Sequence, residues 1–290
     1  MNSFIHQVMS GLAVGGVYAS LALALVMIHQ TTNLVNFAQA EMAMASAFLA
    51  WILIGNGLPY WLAFVVTLGI SFAVGFMVER FMMRRFREAA LHSVLIVMIG
   101  LMMLINGGAG VIFGYEVQTF ATPFDGLGKF AFGYVSSHEG GIAVVTLIVM
   151  ALVFAFFRFT RLGLAMQGAA VNPLSASFVG INVSVMLSLG WGLAAMIGAV
   201  SGILSAPIVY LDPNMMLNVM IYAFAGALLG GISSAYGAVV GGLLIGVAEN
   251  LAGAYLVGTD MKLVFVLAVI IGVLLLKPQG LFGRRVVVRV

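Results

Sequence analysis

The sequence predicts an all-α, polytopic bundle of about eight or nine membrane segments, some of them broken helices. Three observations carry this. Of 290 residues, 63% are apolar or aromatic and only 7% are charged, against roughly 25% charged in soluble domains. Mean hydropathy is +1.18. The apolar residues fall into runs of about the 20 residues that a helix needs to cross a bilayer. A soluble globule with so few charges could not cover its surface, and the short loops leave no room for a second domain. Residues 1–290 are read as one transmembrane domain.

The predicted segments cover 9–28, 34–54, 60–83, 93–113, 142–157, 184–207, 219–229, 235–256 and 263–276. The breaks carry turn formers or polar residues, including Gly55-Asn56-Gly57-Leu58-Pro59 and Asp212-Pro213-Asn214. Arginine and lysine set the orientation, because cytoplasmic loops retain them. Arg80, Arg84, Arg85 and Arg87 form one cluster, Arg158 and Arg161 a second, and Lys277, Arg284, Arg285 and Arg289 a third. Nine crossings, with the first residues outside and the last inside, put all three clusters on the cytoplasmic side. Only Lys129 and Lys262 lie elsewhere. The first positive residue is Arg80, so the chain is expected to enter the membrane by its own helices rather than behind a basic leader. Segment 219–229 would rise only about 16 Å, and the stretch 230–234 is expected to finish the crossing as irregular backbone. Such backbone survives at depth only where protein or a wet cavity surrounds it.

Glycine occurs 36 times. Many recur at four-residue spacing, as in Gly11 and Gly15, Gly198 and Gly202, Gly237 and Gly241, and Gly242 and Gly246. Small residues so spaced let helix backbones approach closely in lipid.

Several chemistries lack their residues. There is no cysteine, hence no disulfide and no thiolate ligand. The four histidines are scattered and no metal site is expected. No lysine is followed by Ser or Thr in a glycine-rich loop, so nucleotide phosphates are not expected to bind here. No basic stripe with interleaved aromatics points to nucleic acid. No catalytic set, cofactor or enzyme activity is read.

Polar groups inside spans are costly and are candidates for function. One cluster, Asn33, Asn36, Gln39 and Glu41, lies in TTNLVNFAQAEMAMASAF. At 100° per residue Asn36, Gln39 and Glu41 share a broad face. Two readings stay open: interhelical hydrogen bonds that fix a bend, or a polar face on a transport path. Glu249 and Asn250 form a second cluster. Burial penalises an unpartnered carboxylate, and Glu249 is expected to bond to backbone or amide groups. Interruptions near 33–41 and at Gly230, Gly231, Ser233 and Ser234 fall in corresponding halves, a pattern that marks substrate paths in transporters.

The inside loop RFTRLGLAMQGAAVNPLSASFVGIN is the longest. Asn172 is placed to cap a helix with Pro173 at its first position, where proline loses no hydrogen bond. Gly180 is the natural stop. A short helix over 173–179, made of small and apolar residues, is expected either to lie at the interface or to dock on a cytosolic partner.

These strings resemble a known family almost end to end. GLAVGGVYASLALAL, NLVNFAQAEMAMASAF, RFTRLGLAMQGAAVNPLSASFVGINV, GALLGGISSAYGAVVGGLLIGVAENL and LLLKPQGLFGRR are similar to the LivH-type permease subunits of branched-chain amino acid ABC importers. The resemblance implies a bacterial cytoplasmic (inner) membrane, a second related permease (identical or not), two cytosolic ATPases and an external substrate-binding protein. It implies import of branched-chain or related amino acids by alternating access. It also assigns Gly168, Ala169, Ala170, Asn172, Pro173, Ser175, Ala176 and Gly180 to coupling with the ATPases. Gln167-Gly168-Ala169-Ala170 stands where many ABC permeases carry a Glu-Ala-Ala run. The rival reading is a stand-alone transporter or channel that uses Glu41 or Glu249 for ion coupling.

Overall fold

The computed structural model describes residues 2–32, 34–86, 89–124 and 136–283. Eleven helices are found among them: α1 (Asn2–Thr32), α2 (Gln39–Gly55), α3 (Tyr60–Met77), α4 (Leu91–Phe113), α5 (Ser137–Phe159), α6 (Arg161–Val171), α7 (Pro173–Phe178), α8 (Val183–Val209), α9 (Met216–Gly230), α10 (Ala235–Tyr255) and α11 (Lys262–Leu276). Seven are long and apolar enough to span a bilayer, and α2 and α9 are shorter apolar helices. The all-α polytopic architecture is thus as the composition requires. Among the described residues the only extended pairing is one antiparallel bridge, Gln118 with Leu211.

The chain gathers into two compact units. The first comprises Met1–Val26, Phe124–Leu147 and Asn218–Val290; the second comprises Met27–Pro123 and Ile148–Leu217.

In the second unit α8 is the core, flanked by α2 and α3. Glycines permit this. A methyl on Gly202 of α8 would lie 2.2 Å from the Ala43 carbonyl oxygen of α2, and one on Gly75 of α3 would lie 2.6 Å from the Trp191 carbonyl oxygen of α8. Backbones in such contact gain dispersion in a solvent that supplies no hydrophobic drive. Ser46 of α2 and Ser71 of α3 share a hydrogen bond of 2.8 Å. Phe48 stacks on Phe113 of α4, with ring centroids 4.3 Å apart. Beyond Met77, α3 continues as a π-turn (Val78–Met82) and a 3₁₀ turn (Met83–Phe86). The π-turn carries Glu79 inward, where it accepts a hydrogen bond from Ser188 of α8.

In the first unit α10 meets α1 on one side and α9 on another. Gly246 faces Gly11 and Gly15 of α1, while Gly241 faces the Gly226 carbonyl of α9. The spacing read from the sequence therefore forms two real helix contacts on one helix.

Several boundaries differ from the sequence reading. Segment 219–229 is a longer helix, α9, that ends at Gly230. Residues 231–234 form a tight turn into α10 rather than an irregular half-crossing. Gly231 adopts φ +107°, a conformation open to glycine. The Ser234 hydroxyl caps α10 by accepting from Gly237 N at 3.0 Å. The segment after α11 returns to this turn: Leu281 N donates to Leu229 O at 2.7 Å and Phe282 N to Gly230 O at 2.9 Å. The segment predicted from residue 34 becomes helical only at Gln39, and the 158–182 loop contains a full helix, α6, besides the predicted short one.

Candidate functional site

Three clusters hold the residues singled out by the sequence. The first is the α6–α7 pair. Thr160 caps α6, its hydroxyl accepting from Gly163 N at 3.0 Å. Asn172 ends α6 with its N–H on the Gly168 carbonyl (3.1 Å) and starts α7 with its Oδ1 accepting from Ser175 N (2.9 Å). Pro173 takes the first position of α7, where its missing N–H costs nothing. Gly180 stops it with φ +82°, and Ile181 N returns to the Ala176 carbonyl at 3.1 Å. The helix ends at Phe178, one residue short of the predicted end. Ala169 and Ala176 are buried and Ala170 half-buried, while Gly168, Pro173, Ser175 and Gly180 are exposed. The outward face is apolar: Leu174 is 67% exposed, Phe178 81% and Val179 76%. Beside α6 lies an open recess of about 550 Å³, lined by Arg161, Leu164, Gln167, Val171 and Ile181 among others. The six-residue helix is capped at both ends and, with Val179 just beyond it, exposes three large apolar side chains.

The second cluster surrounds the start of α2. Asn33 lies outside the described residues. Asn36 is not helical, so the shared helical face expected from residue 36 does not form. Asn36 instead makes a turn, its Oδ1 accepting from Ala38 N at 3.0 Å. Its Nδ2 reaches Gln39 Oε1 at 3.3 Å, and Gln39 Nε2 donates to the Ala194 carbonyl of α8 at 3.0 Å. Gln39 also lies against Gly198, where a methyl would sit 2.3 Å from Nε2. Glu41 is buried and accepts from Asn106 Nδ2 of α4 at 3.3 Å. The same amide donates to the Pro213 carbonyl at 2.8 Å and lies 3.3 Å from Asn214 Oδ1. Asn106 was missed by the sequence reading, although an asparagine in an apolar run was the available signal.

The third cluster is in the first unit. Glu249 of α10 does not rely on amides or backbone. Its Oε2 accepts from Tyr18 Oη of α1 at 2.8 Å, and its Oε1 pairs with Lys262 Nζ at 3.3 Å. Lys262 also reaches Asn250 Oδ1 at 3.3 Å, and Asn250 Nδ2 donates to the Gln7 carbonyl at 3.0 Å. The expected uncharged partners are corrected by Lys262, which starts α11 and folds back onto α10. Gly230 and Gly231 are buried in the α9–α10 turn, and Ser233 and Ser234 lie more openly on it. Among the described residues no three acidic or histidine side chains gather as metal ligands.

The "High-affinity branched-chain amino acid transport system permease protein BraD" of Pseudomonas aeruginosa is 31% identical over 97% of this chain and 96% of its own length. The LivH permease of Escherichia coli is 29% identical with the same coverage. The probable LivH of Methanocaldococcus jannaschii is 28% identical over 91% of this chain and 87% of its own. No solved structure matches. Residues 7–274 match the family described as "Branched-chain amino acid transport system / permease component". With that match, the relatives' coverage and seven bilayer-length helices among the described residues, the chain belongs to that permease family.

Proposed function

We propose that the chain is the membrane-spanning permease subunit of an ATP-driven importer that carries branched-chain or closely related amino acids into the cytoplasm. The observation that carries this is the α6–α7 pair, whose exposed Leu174, Phe178 and Val179 form a knob with no other evident use. A sequence without a phosphate-binding loop needs force from another chain. The companions are two cytosolic ATPases that hold α7, a second permease, identical or related, and an external binding protein that delivers the amino acid. Hydrolysis belongs to the ATPases and not to this chain. The setting is the cytoplasmic (inner) membrane, with α6–α7 and the segment after α11 on the cytosolic side.

Transport by alternating access needs different affinities in the two end states. A hundredfold gradient requires only about 2.7 kcal/mol, so weak contacts along the path suffice. Asn33, Asn36, Gln39 and Glu41 of the second unit, and Gly230, Gly231, Ser233 and Ser234 of the first, are the proposed path residues. The polar start of α2 fixes the local backbone, and a largely apolar path would suit an aliphatic side chain. The rival, ion coupling through Glu41 or Glu249, draws on two buried carboxylates. Glu249 is already matched by Lys262, which favours a structural task for it.

The chain has no cysteine, which makes the test direct. Phe178→Cys in cells should be blocked from a membrane-impermeant maleimide applied outside and should crosslink to an ATPase inside. Labelling from outside, or uptake by the reconstituted chain under an ion gradient without ATPases, overturns the proposal.

A further inference from the structure

A crevice of about 220 Å³ opens in the second unit between α1, α5 and α8. Met27 of α1, Val153, Phe156 and Phe157 of α5, and Met196 and Ile197 of α8 line it, and every lining side chain is apolar. Such a space gives water no hydrogen-bond partners. In a bilayer the apolar material at hand is the acyl chain.

Two arginines follow the lining residue Phe157 closely in sequence. Arg158 follows Phe157 directly, about 9 Å along α5 from the lining residue Leu152. The chain then turns back tightly. Thr160 N and Oγ1 donate to the Phe156 carbonyl at 3.1 and 2.7 Å. Gln167 Nε2 donates to the Phe157 carbonyl at 3.2 Å. Gly163 sits so close that a methyl there would lie 2.4 Å from the Phe156 oxygen. Arg158 and Arg161 therefore both stand on the turn that Phe156 and Phe157 anchor. Both are exposed, and neither meets a carboxylate among the described residues.

We propose that this crevice binds one acyl chain of an anionic phospholipid, whose phosphate is held by Arg158 and Arg161. The guanidinium fork matches a phosphate bidentately, and basic pockets between membrane helices select acidic headgroups. A zwitterionic lipid fits the slot equally but gains less at the arginines. The lipid braces the α5–α6 turn, and α6 carries α7. The acidic lipid content of the membrane thus sets how firmly α7 is held.

The test uses the full-length chain, delipidated in neutral detergent and exposed to palmitoyl-oleoyl phosphatidylglycerol or phosphatidylcholine before native mass spectrometry. One phosphatidylglycerol should be retained, roughly an order of magnitude more than phosphatidylcholine. Arg158→Gln with Arg161→Gln should erase the difference, and Arg158→Lys with Arg161→Lys, which keeps the charge but loses the fork, should restore only part of it. Val153→Trp, which fills the crevice, should release phosphatidylglycerol while the arginines remain, and free glycerol phosphate should not compete. Leu193→Phe replaces Val153→Trp if that variant does not fold. Equal retention of the two lipids overturns the proposal, as does retention that survives the double Gln variant or the filled crevice, or displacement by glycerol phosphate.

Discussion

Lys262 Nζ lies 3.3 Å from Glu249 Oε1, joining the first turn of α11 to the second half of α10. The lysine is 23% exposed and the carboxylate 8%, so the pair sits at a protected edge rather than in open water. Tyr18 closes the other carboxylate oxygen from α1. Three helices thereby share one charge pair.

Lys262→Met should be the more harmful of two related changes, because it strands the carboxylate. The loss should fall at the low end of the roughly 3–5 kcal/mol typical of a broken buried pair, since Lys262 keeps some solvent. Lys262→Met with Glu249→Gln should recover much of it. Thermal unfolding of the two variants in the same detergent decides, and equal melting temperatures would show that the pair contributes little.

Asn172→Ala should cost about 1 kcal/mol of helix stability, the usual worth of an N-cap, felt mainly in α7. Leu174→Glu and Phe178→Glu should leave the fold intact, since both side chains already face out. In the reconstituted complex these variants should lower uptake more than ATP hydrolysis. Parallel loss of both rates at unchanged assembly would point to a defect elsewhere.

Gly202→Val should push α2 from α8, because the Ala43 carbonyl occupies the space. Overpacking of this kind costs about 1–3 kcal/mol or more. Gly272→Ala on α11 meets nothing within 4 Å and should be neutral or stabilising by up to about 1 kcal/mol. Yield of monodisperse protein and melting temperature separate the two.

Asn106→Leu removes the donor shared by Glu41 and the Pro213 carbonyl. Leaving those acceptors unmet costs about 1–3 kcal/mol, and the 212–214 turn should loosen. Hydrogen exchange over residues 211–216 should rise in the variant. Unchanged protection there would show that the Gln118–Leu211 bridge alone holds the turn.

Hydropathy made the long helices legible, and capping chemistry made α7 legible, since Asn172, Pro173 and Gly180 act through neighbours in sequence. Partners distant in sequence were not. Asn106 and Glu41 are 65 residues apart, and nothing local joins them. Lys262 looked like a loop charge because a span boundary hides which helix it folds against. Helix α6 was passed over because its eleven residues alternate small and apolar side chains without the length of a span. Asn36 was placed on a helix by periodicity, whereas its side chain competes for the backbone and forms a turn, as short amides do before helices.

The backbone bonds from Leu281 and Phe282 to Leu229 and Gly230 have a kinetic corollary. These two carbonyls meet their donors only once α10, α11 and the segment after them have been made. During translation the Leu229 and Gly230 carbonyls therefore wait for a latch encoded two helices downstream, while Gly231 N on Ala227 O and Ser234 N on Gly231 O already hold the turn. A chain stalled within α11 would leave those two carbonyls without these partners, and release of the following segment would supply them.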